Sequence, residues 1–330
     1  MSAVPSFVAA VLLALVVASV LVVGNYRREL GSARERVGRG GRIAQTSAGP
    51  IEYAEQGTGI PLLASHGAGG GYDQGLAVVG DLVDHGVRII APSRFGYLGT
   101  PAPAGASPET QADAHAALLA ALQIDKAIVL GISAGAPSAI GLALRHPERV
   151  AALILIVPGT YAPSSPVAVE GSRASAFVLW LVNTGADFIW WALEKLAPSI
   201  LVRFVGIPPD LFARASQAEQ DRVRQMLRDI EPLSCRFRGI NLDSNPGLHP
   251  LPLETIEAPT LIISARDDLF NTAPAAEYAA MRIPRPRLVI FESGGHLLMG
   301  HRQELRQLIA EFLAKGAALM QPAVAENQTR

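Results

Sequence analysis

The sequence predicts a doubly wound, mostly parallel α/β sheet, interrupted by a helical insertion and preceded by one apolar helix of membrane-spanning length. Three observations carry this. Between Pro61 and Phe291, short and almost continuously apolar runs alternate with segments of helical length. A run that stays apolar on both faces is a strand covered on both faces, which places helices above and below a parallel sheet. The alternation stops between Thr160 and about Glu254, where helical stretches and Pro-rich turns replace strands, as a cap inserted into the sheet domain would do. Finally, Val4 to Val23 is almost wholly Val, Ala and Leu, without a charged residue.

Taken in order, the N-terminal run is long enough, at about 1.5 Å per residue, to cross a hydrocarbon core of about 30 Å. A cleaved signal peptide normally opens with a basic residue, and none precedes this run. Arg27, Arg28, Arg34, Arg36, Arg39 and Arg42 crowd its C-terminal side, and the positive-inside rule puts that side in the cytoplasm. The expected organisation is a single-pass transmembrane helix over 4–23 and a basic, Gly-rich linker over 24–50. A catalytic-type α/β domain over 51–159 and 255–315 then encloses a helical cap over 160–254, and a flexible tail follows over 316–330. Strands are expected at Pro61 to Ser65, Val87 to Ala91, Lys126 to Leu130, Val150 to Val157, Pro259 to Ser264 and Arg287 to Phe291. Helices are expected at Tyr72 to His85, Pro108 to Leu122, Ala134 to His146, Thr272 to Met281 and Leu297 to Ala314.

Composition narrows function. The net charge is -1, so no basic field gathers nucleic acid. The lone cysteine, Cys235, supports neither an internal disulfide nor a multi-cysteine metal site. Neither a metal nor a cofactor is expected, and nothing in the sequence indicates an oligomeric state.

The residues that carry chemistry stand at predicted strand ends, where ligand sites of such sheets lie. Gly131-Ile132-Ser133-Ala134-Gly135 follows one strand and precedes a helix, the setting of a nucleophile elbow. Pro137 fits the first turn of that helix, where its missing N–H has no partner to lose. A serine hydroxyl needs a base, and the base needs an orienting group. Gly294-Gly295-His296 ends the last strand and Ser264-Ala265-Arg266-Asp267-Asp268 ends the one before. The order Ser, Asp, His suits this architecture. His296 is therefore the expected base and Asp267 the expected acid, with Asp268 competing for that role. His66-Gly67-Ala68-Gly69-Gly70-Gly71 follows the first expected strand, so the N–H groups of Ala68 and Ala134 are the expected oxyanion donors. That glycine loop lacks the Lys-Ser/Thr ending of a phosphate-binding P-loop. Trp180, Trp190 and Trp191 in the cap are candidates to line an acyl pocket, or to dip into the bilayer beside the anchor and admit lipid-like esters, against the ordinary reading that they pack a helix.

With these stretches, and with Ile51 to Gly57, Ser93 to Tyr97 and Leu142 to Val150, residues 51 to about 314 resemble the α/β-hydrolase superfamily. The resemblance implies cofactor-free hydrolysis of an ester, thioester or amide. In such families the acid usually occupies a Gly-x-x-Asp pattern, which favours Asp267, with Ser264 in place of the glycine. The expected substrate is a small acyl or ester molecule with an apolar part, of a kind that includes lipid-like esters. Carbon–carbon bond hydrolysis and perhydrolysis use the same triad and stay open, as does a non-catalytic membrane-anchored binding protein.

Overall fold

A computed structural model describes residues 4–83, 86–163, 180, 184–244 and 247–318. Its centre is an eight-stranded sheet of β1 (Arg42–Thr46), β2 (Gly49–Gln56), β3 (Ile60–Ser65), β4 (Val87–Pro92), β5 (Ala127–Ile132), β6 (Val150–Ile156), β7 (Thr260–Ala265) and β8 (Pro286–Phe291). The spatial order is β1-β2-β4-β3-β5-β6-β7-β8. From β4 onward neighbours are parallel, while β2 runs antiparallel to both β1 and β4.

The strand side chains divide the core as their period of two requires. Leu63, Ile90, Val129, Leu153 and Ile262 join one buried cluster; Leu62, Ile89, Ile128, Ile154 and Leu261 join the other. The first is covered by α3 (Pro108–Ala121), α4 (Ala136–Arg145) and α10 (Ala273–Arg282), the second by α2 (Tyr72–Gly80) and α11 (Arg302–Ala318). All seven residues of β6 are buried, which explains its unbroken apolar sequence.

The described part of the segment between β6 and β7, where the cap is expected, is largely helical and contributes to a third buried cluster that also takes in Tyr97 and Met299. The segment comprises α5 (Asp187–Leu196), α6 (Pro198–Phe204), α7 (Pro209–Arg214), α8 (Gln217–Asp229) and α9 (Phe237–Ser244). Trp190, Leu201, Val202, Ile207, Val223, Leu227 and Leu233 are buried together there. The first part of the expected cap, 164–179 and 181–183, lies outside the described residues.

Two expected boundaries change. The basic segment 24–50 is not a linker. Helix α1 (Val4–Gly40) runs on through the arginines, and residues 42–56 form the β1–β2 hairpin that opens the sheet. The arginines hold this extension by long-range partners: Arg36 bonds Asp73 at 2.7 Å and the Glu231 carbonyl at 2.7 Å. Tyr72 donates to the Val37 carbonyl at 2.8 Å, and Leu30, Ala33 and Val37 are buried. Gly and Arg are read as tether composition locally, but here tertiary packing overrides propensity. Likewise α11 continues to Ala318, into the segment expected as a tail; residues 319–330 lie outside the described ones. The apolar half of α1 is exposed from Phe7 to Val23 and is long and apolar enough to cross a bilayer.

Candidate active site

Ser133 sits between β5 and α4 with φ of 50°, a left-handed conformation that costs a non-glycine residue energy and lifts its side chain out of the turn. The flanking glycines are sterically required. A Cβ on Gly135 would stand 2.3 Å from the Ser65 carbonyl oxygen, and one on Gly131 would stand 2.7 Å from the Ala139 Cβ. The Gly159 N–H donates to the Ser133 carbonyl at 3.0 Å, tying the elbow to the end of β6.

His296 stands after β8, its Nε2 2.8 Å from Ser133 Oγ and its Nδ1 2.8 Å from Asp268 Oδ2. The Asp268 side chain is fully buried. Burial pushes its carboxyl up, but the attraction of His296 and hydrogen bonds from His296, the Thr272 hydroxyl and the Phe270 N–H hold it below the ordinary aspartate value. An ionised carboxylate only accepts, so Nδ1 carries the proton and Nε2 is free to accept from Ser133.

The expectation of Asp267 at this position is corrected. Its carboxylate turns to the other side and accepts from the Gly295 N–H at 2.8 Å, the Gly294 N–H at 3.2 Å and the Ser293 hydroxyl at 2.7 Å. Consecutive residues beyond a strand point apart, so only one of the pair can face the elbow, and the turn selects Asp268. Asp267 instead braces the glycine pair that delivers His296. Here Gly294 has φ of 151° and Gly295 φ of 58°.

Ala68 and Ala134 both line the space beside Ser133, Ala68 from the loop after β3. Buried His66 organises that loop. Its Nε2 accepts from the Arg94 N–H at 3.0 Å, so its Nδ1–H donates to the Gly67 carbonyl at 2.7 Å. Burial and the neighbouring Arg94 hold its pKa well below the ordinary histidine value, keeping it neutral. Arg94 in turn grips Asp243 of α9 at 2.7 and 2.6 Å, and the Tyr97 hydroxyl, which donates to Asp243, accepts from the Gly69 N–H at 3.2 Å. The cap is thereby bonded to the glycine loop. A second cap contact reaches the histidine, as the Gly206 carbonyl after α6 accepts from the His296 N–H at 3.1 Å. Neither Gly206 nor the Arg94–Asp243 pair stands out in the sequence, because both depend on residues far apart in the chain.

Between cap and sheet lies a cavity of about 680 Å³, lined largely by apolar side chains such as Leu82, Phe204, Met226, Ile230, Phe270 and Leu298, with Ser133 and His296 at its wall. Of the three tryptophans, only Trp190 is found among its described lining residues, and it is 1% exposed, its indole N–H bonded to the Leu227 carbonyl at 3.1 Å. Trp191 does not face the cavity. It packs against Tyr26 and Phe188 and donates to Glu29 of α1 at 2.8 Å. Trp180 is 55% exposed. Of the expected tryptophan lining, the described residues supply Trp190, set among aliphatic and phenylalanine side chains. Among the described residues no group of His, Cys, Asp and Glu is arranged to hold a metal ion.

Residues 62–308 match the model of the alpha/beta hydrolase family. The chain is 28% identical over 283 residues to 2-hydroxymuconate semialdehyde hydrolase of Pseudomonas putida, covering 80% of this chain and 91% of that protein. It is 30% identical over 233 residues to the pimeloyl-[acyl-carrier protein] methyl ester esterase of Aromatoleum aromaticum, covering 69% and 88%. An alpha/beta hydrolase fold protein from Nakamurella multipartita superposes with a TM-score of 0.63 at 27% identity, covering 84% of this chain and 99% of that one.

Proposed function

The chain belongs to the alpha/beta hydrolase family, and on that premise we propose that it is a membrane-anchored serine hydrolase that cleaves esters with an apolar acyl part. The reading rests on one observation above the rest: Ser133 Oγ, His296 and Asp268 form a continuous hydrogen-bonded chain opening onto an apolar cavity. In the proposed reaction His296 Nε2 takes the Ser133 proton as Oγ attacks the ester carbonyl, and Asp268 stabilises the imidazolium. The N–H groups of Ala68 and Ala134 receive the developing oxyanion. His296 then gives its proton to the departing alkoxide. Water, deprotonated by the same histidine, releases the acyl group as a carboxylic acid and restores Ser133.

Relatives named 2-hydroxymuconate semialdehyde hydrolase and 2-hydroxy-6-oxo-6-phenylhexa-2,4-dienoate hydrolase favour carbon–carbon bond hydrolysis on the same triad as the second reading. Their named substrates are carboxylates, which call for a cation in the pocket. Both arginines among the described lining residues already face acids: Arg222 lies 2.8 Å from Glu219 and Arg302 2.8 Å from Asp81. The acids of that wall are paired as well, Asp243 with Arg94 at 2.6 Å and Asp229 with Arg36 at 3.8 Å. This wall suits a neutral ester better than a carboxylate.

The test is fluorophosphonate labelling of the wild type beside Ser133→Ala, followed by turnover of p-nitrophenyl esters from acetate to palmitate and of 2-hydroxymuconate semialdehyde. Labelling confined to the wild type, with ester turnover rising with acyl length and exceeding that of the semialdehyde, is the expected result. Absence of labelling on folded protein overturns the serine mechanism, and faster turnover of the semialdehyde overturns the ester assignment.

A further inference from the structure

Helix α1 does not leave the molecule at the sheet domain. Its C-terminal end is fixed there, with the Gly40 N–H donating to the Tyr72 hydroxyl at 3.1 Å. From there it runs back along the cap. Arg34 faces Asp187 at 3.5 Å, Glu29 faces Lys195 at 3.0 Å, and the Tyr26 ring lies 5.1 Å from Phe188. Tyr26 stands three residues after the apolar run that ends at Val23, so α5 is the part of the folded body beside which α1 emerges. On this helix and the next, three large apolar side chains are turned to solvent: Phe188 at 44%, Leu196 at 84% and Ile200 at 37% exposure. A cap helix that served only to pack would bury such residues.

The cavities add a second observation. A smaller cavity of about 400 Å³ runs beside α1, lined by Arg28, Ser32 and Arg36 on that helix and by Gln225 and Asp229 on α8. The same Gln225 and Asp229 line the catalytic cavity. The catalytic chamber is thus separated from the face that carries α1 by one layer of side chains.

Resting on the reading of α1 as a membrane anchor, we infer that the α5–α6 face of the cap is a second membrane contact, seated on the surface of the bilayer that holds α1. The occupant is a lipid surface. Tyr26 and the adjacent Arg27 and Arg28 have the character of an interfacial belt, an aromatic ring with cations for the headgroups, at the level where Phe188 lies. Leu196 and Ile200 supply the apolar contact, and exposed Arg203, three residues after Ile200 on α6, supplies a further cation. Docked in this way, the enzyme draws its acyl ester from the bilayer rather than from water.

The test uses the full chain reconstituted in phosphatidylcholine–phosphatidylglycerol vesicles, with Leu196→Glu/Ile200→Glu beside the wild type. Both are assayed on a long-chain 4-methylumbelliferyl ester dissolved in the bilayer and on water-soluble p-nitrophenyl acetate. The expected result is a fall of about tenfold on the bilayer substrate for the double variant, since two apolar contacts become charged, with acetate turnover within about twofold. The acetate rate reports folding and the proposed triad. Retention of both proteins in the vesicles through an alkaline wash reports the anchor separately. Retention with equal rates on the bilayer ester overturns the docking face while leaving the anchor intact. Loss of the wild type in the wash overturns the anchor, and the docking face with it. As a check should the double variant misfold, Leu196→Cys labelled with an environment-sensitive dye in a Cys235→Ser background is expected to shift to the blue on adding vesicles; an unshifted spectrum overturns the contact.

Discussion

The sheet domain and the α1–cap assembly are held together by different physics. At the strand ends, backbone geometry does the placing: a left-handed serine at 133 and two glycines whose conformation delivers His296. Each of these is local, set within a few residues of the group it positions. The cap and α1 meet instead through long-range side-chain contacts, such as Trp191 on Glu29 and Arg36 on Asp229 and the Glu231 carbonyl. The contrast teaches that the chemical step and the selection of substrate are built on separable parts. Damage to the first should remove turnover, and damage to the second should redirect or destabilise the enzyme while leaving turnover of small esters.

The sharpest way to break this division is at the neighbouring acids. Asp268→Asn removes the negative charge behind His296 and permits the wrong tautomer, so kcat on any ester should fall by about 10³ to 10⁴. Asp267→Asn keeps an acceptor for the glycine N–H groups and should cost no more than about tenfold, consistent with loss of a positioning hydrogen bond. Steady-state kinetics of the two purified variants decide it. Equal losses, or the larger loss at 267, would mean that the turn after β7 does not select the acid as its hydrogen bonds indicate.

What could be read from the sequence follows the same line. The strands β3 to β8, the elbow, the histidine and the glycine loop were legible because each is a short pattern of consecutive residues. The choice between Asp267 and Asp268 was not, since a shift of one residue in a turn leaves the sequence unchanged but reverses the direction of the side chain. The β1–β2 hairpin was missed because Gly40, Gly41, Gly49 and Pro50 are loop residues by propensity, and pairing with β4 is what makes the segment a strand. Trp190 and Trp191 are adjacent, apolar and aromatic; only the packing of α1 separates the one at the cavity from the one on α1. That α1 continues past the apolar run is invisible to composition, because its arginines find their acids far away in the chain.

A smaller effect is expected from the seam itself. Trp191→Ala removes a buried indole and its bond to Glu29, a change that typically costs about 3 kcal/mol. The thermal midpoint should fall by several degrees, while kcat on p-nitrophenyl acetate stays within about threefold of wild type. Differential scanning fluorimetry paired with that assay separates the outcomes. A collapse of acetate turnover in a folded variant would show that the seam reaches the proposed triad and that the two regions are not separable.

The last effect is a pH dependence that belongs to the seam. Glu231 is 6% exposed; burial first, and then the nearby Glu194 and Glu29, push its carboxyl up to about 7 from an ordinary value of 4.5, against the pull of Lys195. Between those two values the folded chain keeps a proton that the unfolded chain has released. Stability contributed by the neutral form is thus present at pH 4.5 and is lost as pH rises towards 7 and above. Glu231→Gln has no such proton to lose. Its thermal midpoint should exceed that of the wild type at pH 8 and match it near pH 5, where both side chains are neutral in the fold. An advantage of the same size at both pH values would assign the effect to packing rather than charge. No advantage at pH 8 would mean that Lys195 and Arg36 already neutralise the site, leaving the junction between α1 and the cap insensitive to pH.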